Sequence, residues 1–206
     1  MKKKKVLITG GAGFIGHHVI YNLLSETDFK IISLDRLDYS GSYNRIQQVI
    51  KQNEEWKKRI KIIWYDLRAE INLITAREIN KPDVILHLAA ASHVDRSIAD
   101  PMSFVLDNVV GTVNLLNYAK SLSNLEKFIY FSTDEVFGPA PSNIKYKEND
   151  RYNSGNPYAA SKAGAEEMCV AFKNTYKMPI IITHTMNVIG ERQHPEKYLP
   201  KIINHI

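Results

Sequence analysis

Two short stretches of the sequence carry side chains spaced for proton transfer. In Tyr158-Ala159-Ala160-Ser161-Lys162 a phenol and an amine stand four residues apart, on one face of a helix if the segment is helical. An ammonium close to a phenol favours the phenolate and lowers its pKa, so such a pair makes a base that works near neutral pH. The spacing is also common on ordinary helix surfaces. Ser132-Thr133-Asp134-Glu135 adds hydroxyls and two adjacent carboxyl groups. Two carboxyls divide into an acid and a base when their surroundings hold their pKa values apart, and the same residues also suit a solvated loop.

A third stretch is suited to phosphate. Thr9-Gly10-Gly11-Ala12-Gly13-Phe14-Ile15-Gly16 follows a short apolar run and precedes a helical pattern. Glycines 10, 13 and 16 allow a tight turn, a close approach to a pyrophosphate and close helix–strand packing. The pyrophosphate would lie at a helix N-terminus, where unpaired N–H groups favour negative charge. Asp35 follows nineteen residues after Gly16, where a carboxylate accepts from the adenosine ribose hydroxyls and repels a 2′-phosphate. NAD is therefore expected over NADP, with Arg36 as the opposing feature, since an arginine there pairs with such a phosphate.

The elements that must position these residues read as an alternation. Val6–Thr9, Ile31–Leu34, Ile60–Trp64, Val84–Leu88, Phe128–Phe131 and Ile180–Thr183 are continuous apolar runs, as in strands covered on both faces. Helical patterns lie near 14–25, 43–58, 71–79, 101–121 and 158–176, with Pro101 suited to a helix start and Pro179 to a stop. The order predicts an α/β fold, a Rossmann-type doubly wound parallel sheet with helices on both faces. In such a sheet ligands bind beyond the carboxyl ends of the strands. The glycine loop, Leu88-Ala89-Ala90 and Ser132–Glu135 should thus meet in one crevice. The long irregular stretch from Gly138 to Pro157 has the length of a functional loop.

Composition narrows the function classes. The 206 residues suit one domain, and 44% apolar with 24% charged residues is ordinary for a soluble globular protein. The charge of +5 is spread along the chain apart from Lys2–Lys5, so no nucleic-acid partner is expected. That basic run leads into Val6-Leu7-Ile8 but breaks at Thr9-Gly10, which argues against a secretory leader, and no run approaches the ~20 apolar residues of a membrane helix. The single cysteine, Cys169, fits a reducing, cytoplasmic setting, and the seven histidines show no metal-ligand spacing, so no metal is expected.

The glycine loop together with Tyr-x-x-x-Lys resembles the extended short-chain dehydrogenase/reductase superfamily. Three stretches, 87–98, 132–138 and 192–197, are similar to the nucleotide-sugar 4,6-dehydratases that act on dTDP-glucose, and the similarity covers essentially the whole chain. The resemblance implies a redox-neutral loss of water from a nucleotide-glucose. Tyr158 would take the proton of the 4-hydroxyl as hydride passes from carbon 4 to NAD, with Thr133 on the same hydroxyl and Lys162 holding the ribose and the tyrosine pKa. Glu135 would remove the carbon 5 proton, Asp134 would protonate the departing 6-hydroxyl, and hydride would return to carbon 6.

The same resemblance places Gly10, Gly13, Phe14, Ile15, Gly16, Asp35, Arg36, Asp66, Leu67, Leu88, Ala89, Ala90 and Ser92 at the cofactor with Tyr158 and Lys162. It places Ser92, His93, Thr133, Asn187 and Lys197 at the sugar nucleotide, although His93 also suits a loop residue bonded locally. It implies a homodimer through the helices near 101–121 and 158–176, the first with an apolar stripe of Met102, Phe104, Val105, Val109 and Val113. Phe137, His184 and Gly190-Glu191 depart from the common pattern of tyrosine, arginine and Gly-Pro. Such enzymes run past 300 residues. A domain over 1–206, with 186–206 opening a mostly absent lobe, is thus expected to bind NAD and to turn over weakly or not at all. An epimerase or decarboxylase of the same superfamily, or a non-catalytic NAD-binding protein, are the alternative functions.

Overall fold

The computed structural model describes residues 3–204; Lys2 of the basic run and Ile206 lie outside the described residues. Six strands form one sheet: β1 (Lys5–Thr9), β2 (Lys30–Asp35), β3 (Ile60–Trp64), β4 (Val84–His87), β5 (Lys127–Thr133) and β6 (Ile180–Thr185). All pair in parallel, in the order β3-β2-β1-β4-β5-β6, with Val6 opposite Ile31 on one side and Val84 on the other.

Alternate side chains of β1 to β4 feed two cores, which is why these strands read as unbroken apolar runs, while β5 and β6 feed one of them. Val6, Ile8 and Ile31 pack with Ile20 and Leu24 of α1 (Phe14–Glu26) and Ile46 and Val49 of α2 (Tyr43–Ile50). Leu7, Ile32, Ile85, Phe128 and Tyr130 pack on the opposite face with further helices. A short α3 (Glu54–Lys57) follows α2, and α4 (Leu73–Ile79) contributes Ile79 to that second core.

Two helical expectations are corrected. The pattern over 43–58 is two helices, because Asn53 leaves helical geometry and caps α3 by accepting from the Glu55 N–H. An unforeseen α5 (Val94–Ala99) lies ahead of Pro101. The expected 101–121 helix then runs as α6 (Pro101–Phe104), a π-helical turn (Val105–Val110) and α7 (Gly111–Lys120). Asp100 caps α6 with Pro101 in its first turn, as the sequence suggested. The long α8 (Pro157–Tyr176) starts at the Asn156 cap, and α9 (Tyr198–Ile203) is the last element. Among the described residues no helix is long and apolar enough to cross a membrane, and no three His, Cys, Asp or Glu side chains cluster to hold a metal.

Candidate active site

β1 ends in a turn that only glycine permits. Gly10 has φ +72°, and a Cβ there would lie 2.8 Å from the Ala89 nitrogen after β4. A Cβ on Gly16 would lie 2.1 Å from the Gly10 oxygen, so loop and helix close directly on one another. Gly13 is the N-cap of α1 and offers no side-chain acceptor, which leaves the first N–H groups of the helix facing the cleft. A ring of donors at a helix N-terminus, with no side chain in the way, fits a pyrophosphate.

Asp35 finishes β2 and is tied down by backbone. It accepts from the Ala12 N–H at 3.0 Å and the Leu37 N–H at 2.8 Å, while burial pushes its pKa up. Arg36 is engaged by carboxylates, donating to both oxygens of Asp107 at 2.5 and 2.7 Å and to Asp38 at 2.7 Å.

The other end of the cleft is built by β5 and α8. Thr133 ends β5, and its hydroxyl lies beside the Tyr158 phenol. Burial, together with the carboxylates of Glu135 and Asp134, pushes that phenol up to about 12, and Thr133 holds it lower than it would otherwise be. The expectation that Lys162 depresses the phenol is not met in this geometry. The Lys162 amine donates to the Phe131 carbonyl at 2.6 Å and lies 4.3 Å from the centre of the Tyr130 ring. Its own pKa is pushed down to about 8 by burial. Glu135 accepts from the Asn156 amide at 3.2 Å, so the residue that caps α8 also orients this carboxylate.

Every site residue expected from the sequence lines this one cleft except Asp134 and His93. Asp134 sits in a short 3-10 turn, its carboxyl accepting from the Thr133 hydroxyl at 3.4 Å. His93 caps α5, its Nδ1 accepting from the Arg96 N–H at 3.4 Å, and its Nε2 lies 3.6 Å from Glu196. That is the local bonding weighed against a sugar contact. Asn187 and Lys197 do line the cleft, with the Lys197 amine donating to the Ser92 carbonyl at 2.6 Å.

Sequence reasoning missed Asp38, Asp107, Asn108 and Asn156. Asn108 clamps the cleft turn through both atoms of its amide, accepting from the Ala91 N–H at 2.8 Å and donating to the Ala91 carbonyl at 3.0 Å. The same amide donates to Ser161 on α8 at 2.8 Å. Only Asn156 carried a signal, as an asparagine directly before Pro157 and a helical pattern.

A parallel sheet in this order, a glycine turn at the β1 carboxyl end and a Tyr–Lys pair facing it define a dinucleotide-binding Rossmann protein of the short-chain dehydrogenase/reductase type. The sequence model of the GDP-mannose 4,6 dehydratase family matches residues 7–206, and the chain belongs to that family. It is 41% identical over 202 residues to the dTDP-D-glucose 4,6-dehydratase of Mus musculus, covering 98% of this chain and 55% of the relative. It is 37% identical to the dTDP-glucose 4,6-dehydratase of Escherichia coli, covering 97% and 58%. The chain thus spans little more than half the length of these curated relatives.

Among solved structures, the Streptomyces venezuelae dTDP-glucose 4,6-dehydratase DesIV with NAD bound superposes with a TM-score of 0.88 at 36% identity, over 98% of this chain and 61% of that one. The Bacillus cereus UDP-glucuronic acid 4-epimerase with its sugar nucleotide and NAD gives 0.85 at 28% identity, over 98% and 62%.

Proposed function

We propose that this chain is the NAD-binding, catalytic part of a nucleotide-sugar 4,6-dehydratase that converts a nucleotide-glucose such as dTDP-glucose to its 4-keto-6-deoxy form. The observation that carries the proposal is that Thr133, Glu135, Tyr158 and Lys162 share one cleft with the uncapped α1 N-terminus and Asp35. The relatives' names and the NAD in the similar structures support the same assignment.

When bound, NAD supplies a two-electron acceptor at carbon 4 of the sugar and a donor at carbon 6, so the cycle consumes no oxidant. The residues handle the protons. Tyr158 receives the 4-hydroxyl proton, with the Thr133 hydroxyl holding the same oxygen. A phenol standing at about 12 needs a nearby positive charge to act at neutral pH, and the Lys162 ammonium would supply it on turning from the Phe131 carbonyl toward the phenol. Glu135 takes the carbon 5 proton, made acidic by the 4-keto group; Asn156 holds one of its oxygens and leaves the other free to act. Asp134 gives a proton to the departing 6-hydroxyl, which leaves as water, once its side chain has turned from Thr133 into the cleft. Replacing Glu135 by Gln should abolish deuterium exchange at carbon 5 while leaving NAD affinity within a few-fold; unchanged exchange would remove Glu135 from the mechanism. Incubation with NAD and a panel of nucleotide-glucoses, followed by mass spectrometry, reads the loss of water directly.

One observation favours a second reading. Asp134 stands outside the cleft wall, and a 4-epimerase needs only Thr133, Tyr158 and Lys162. The products separate the two, since a 4-keto-6-deoxy sugar absorbs after alkali and an epimer does not.

The expected homodimer belongs to this proposal as well. Met102, Val105 and Leu106 are exposed on the outer side of α6 and the π-turn, next to α8. Phe104 of the expected stripe is instead buried, edge-on to the Tyr158 ring at 6.4 Å. A buried, free Cys169 supports a reducing, cytoplasmic setting.

A further inference from the structure

In a dinucleotide-binding sheet the carboxylate ending the second strand meets the ribose hydroxyls, and an arginine beside it is the residue that accepts a 2′-phosphate. This chain has both, Asp35 and Arg36, so the pair alone does not decide between NAD and NADP. We propose that Asp107, with Asp38, decides it, by holding the Arg36 guanidinium so that it cannot serve a 2′-phosphate. The inference rests on the dinucleotide reading above and names residues that the glycine loop and Asp35 do not include.

The geometry is that of a lock. Arg36 makes a two-pronged pair with Asp107, Nη1 to Oδ1 at 2.5 Å and Nη2 to Oδ2 at 2.7 Å. Both hydrogens of Nη2 are taken, since it also donates to Asp38 at 2.7 Å. Asp66 lies 3.7 Å from Nη1. Asp38 cannot swing aside cheaply, because its other oxygen accepts from the Ser40 N–H and hydroxyl, each at 3.0 Å. Asp107 is held by the π-turn between α6 and α7, and its side chain is only 10% exposed. Pulling Arg36 away would leave that carboxylate nearly buried and without its two-pronged partner, which is strongly unfavourable.

Charge points the same way. Asp35, Asp38, Asp66 and Asp107 face Arg36, Arg68 and Arg45, four carboxylates against three guanidiniums at this end of the cleft, and Arg45 is spent on the Ser40 and Ala12 carbonyls. A 2′-phosphate would add nearly two further negative charges where the balance is already negative. Partial burial keeps salt from screening the repulsion away. Two ribose hydroxyls carry no charge and meet no such penalty. The hydrogen bonds from Arg36 hold Asp38 below the ordinary carboxylate range, so the lock stays ionised at neutral pH.

The test is titration calorimetry of NAD and NADP, at one fixed salt concentration, against the 206-residue chain and its variants. Asp107→Asn keeps the shape of the side chain and removes its charge. Asp38→Asn does the same for the other partner and serves if the first variant folds poorly. In either variant the ratio of NADP to NAD dissociation constants should fall roughly 10- to 100-fold, the range of one charge-assisted hydrogen bond. Adding Arg36→Met should abolish the gain, because the released guanidinium is its cause. An unchanged ratio in both single variants, or an equal fall with Arg36 absent, overturns the inference. Failure of the unaltered chain to bind either dinucleotide would instead overturn the nucleotide reading, so the two failures are distinct.

Discussion

His87 ends β4 with both ring nitrogens occupied by hydroxyls, Nδ1 with Thr9 at 2.7 Å and Nε2 with Thr112 at 2.9 Å. Burial pushes its pKa down to about 3, against 6.5 for a free imidazole. Between those values the unfolded chain holds a proton that the native one does not, so stability falls as pH drops from about 6.5 toward 3, by up to about 5 kcal/mol. Urea melts of His87→Asn over that window should show a visibly shallower dependence on pH than the unaltered chain. Lys162 shows a slope of the same sign in a higher window. Folded, it titrates near 8, and unfolded, near 10.5, so its burial weakens the fold below pH 8 and the penalty fades as pH rises toward 10.5. The penalty is roughly 3 kcal/mol at most, less about 1 kcal/mol for the Phe131 carbonyl it satisfies. Lys162→Met should therefore melt a few degrees higher at pH 7, the gain vanishing near pH 10, while losing turnover. Single residues of this kind were half legible in the sequence. Tyr158 and Lys162 stood out by type and spacing. That Lys162 bonds a backbone carbonyl and not the phenol depends on how β5 passes beneath α8, which no local pattern encodes.

Elements were legible where one signal dominated. The glycine turn before α1 was plain because three glycines at fixed spacing have few other uses, and the geometry shows two of them excluding any side chain. Gly16→Ala should cost ~3 kcal/mol by chemical melts and abolish NAD binding, since its methyl would meet the Gly10 carbonyl. Gly155 is the control, with nothing within 4 Å of the position a Cβ would take. Gly155→Ala should leave stability within about 0.5 kcal/mol or raise it slightly. The helix at 94–99 escaped notice because its cap is a histidine and its six residues are too few for a period to show. The break at Asn53 escaped because amphipathic spacing carries through it.

At the scale of the whole molecule, the alternation of strands and helices was enough to read the doubly wound sheet, and the reversal of strand order between β1 and β4 places the crevice. The chain lines both halves of that crevice, with the glycine turn, Asp35 and Asp66 on the β1–β3 side and Thr133, Glu135, Tyr158 and Lys162 on the β5 side. If the outer face of α6 and the π-turn joins two copies, sedimentation at micromolar concentration should show a dimer. Met102→Glu with Val105→Glu should then return it to a monomer with the secondary structure unchanged. The π-turn itself works as a phase shifter. Each residue of an α-helix advances by about 100°, so the wider turn at Val105–Val110 offsets everything after it by a fraction of a revolution. Upstream, Met102 looks outward; downstream, Leu115, Leu116 and Ala119 look into the sheet; within the turn, neighbouring Asp107 and Asn108 address the two ends of the cleft. Removing one residue from this turn would rotate one half of the rod against the other, like a gear slipping a tooth, and three separate duties would lose their alignment at once.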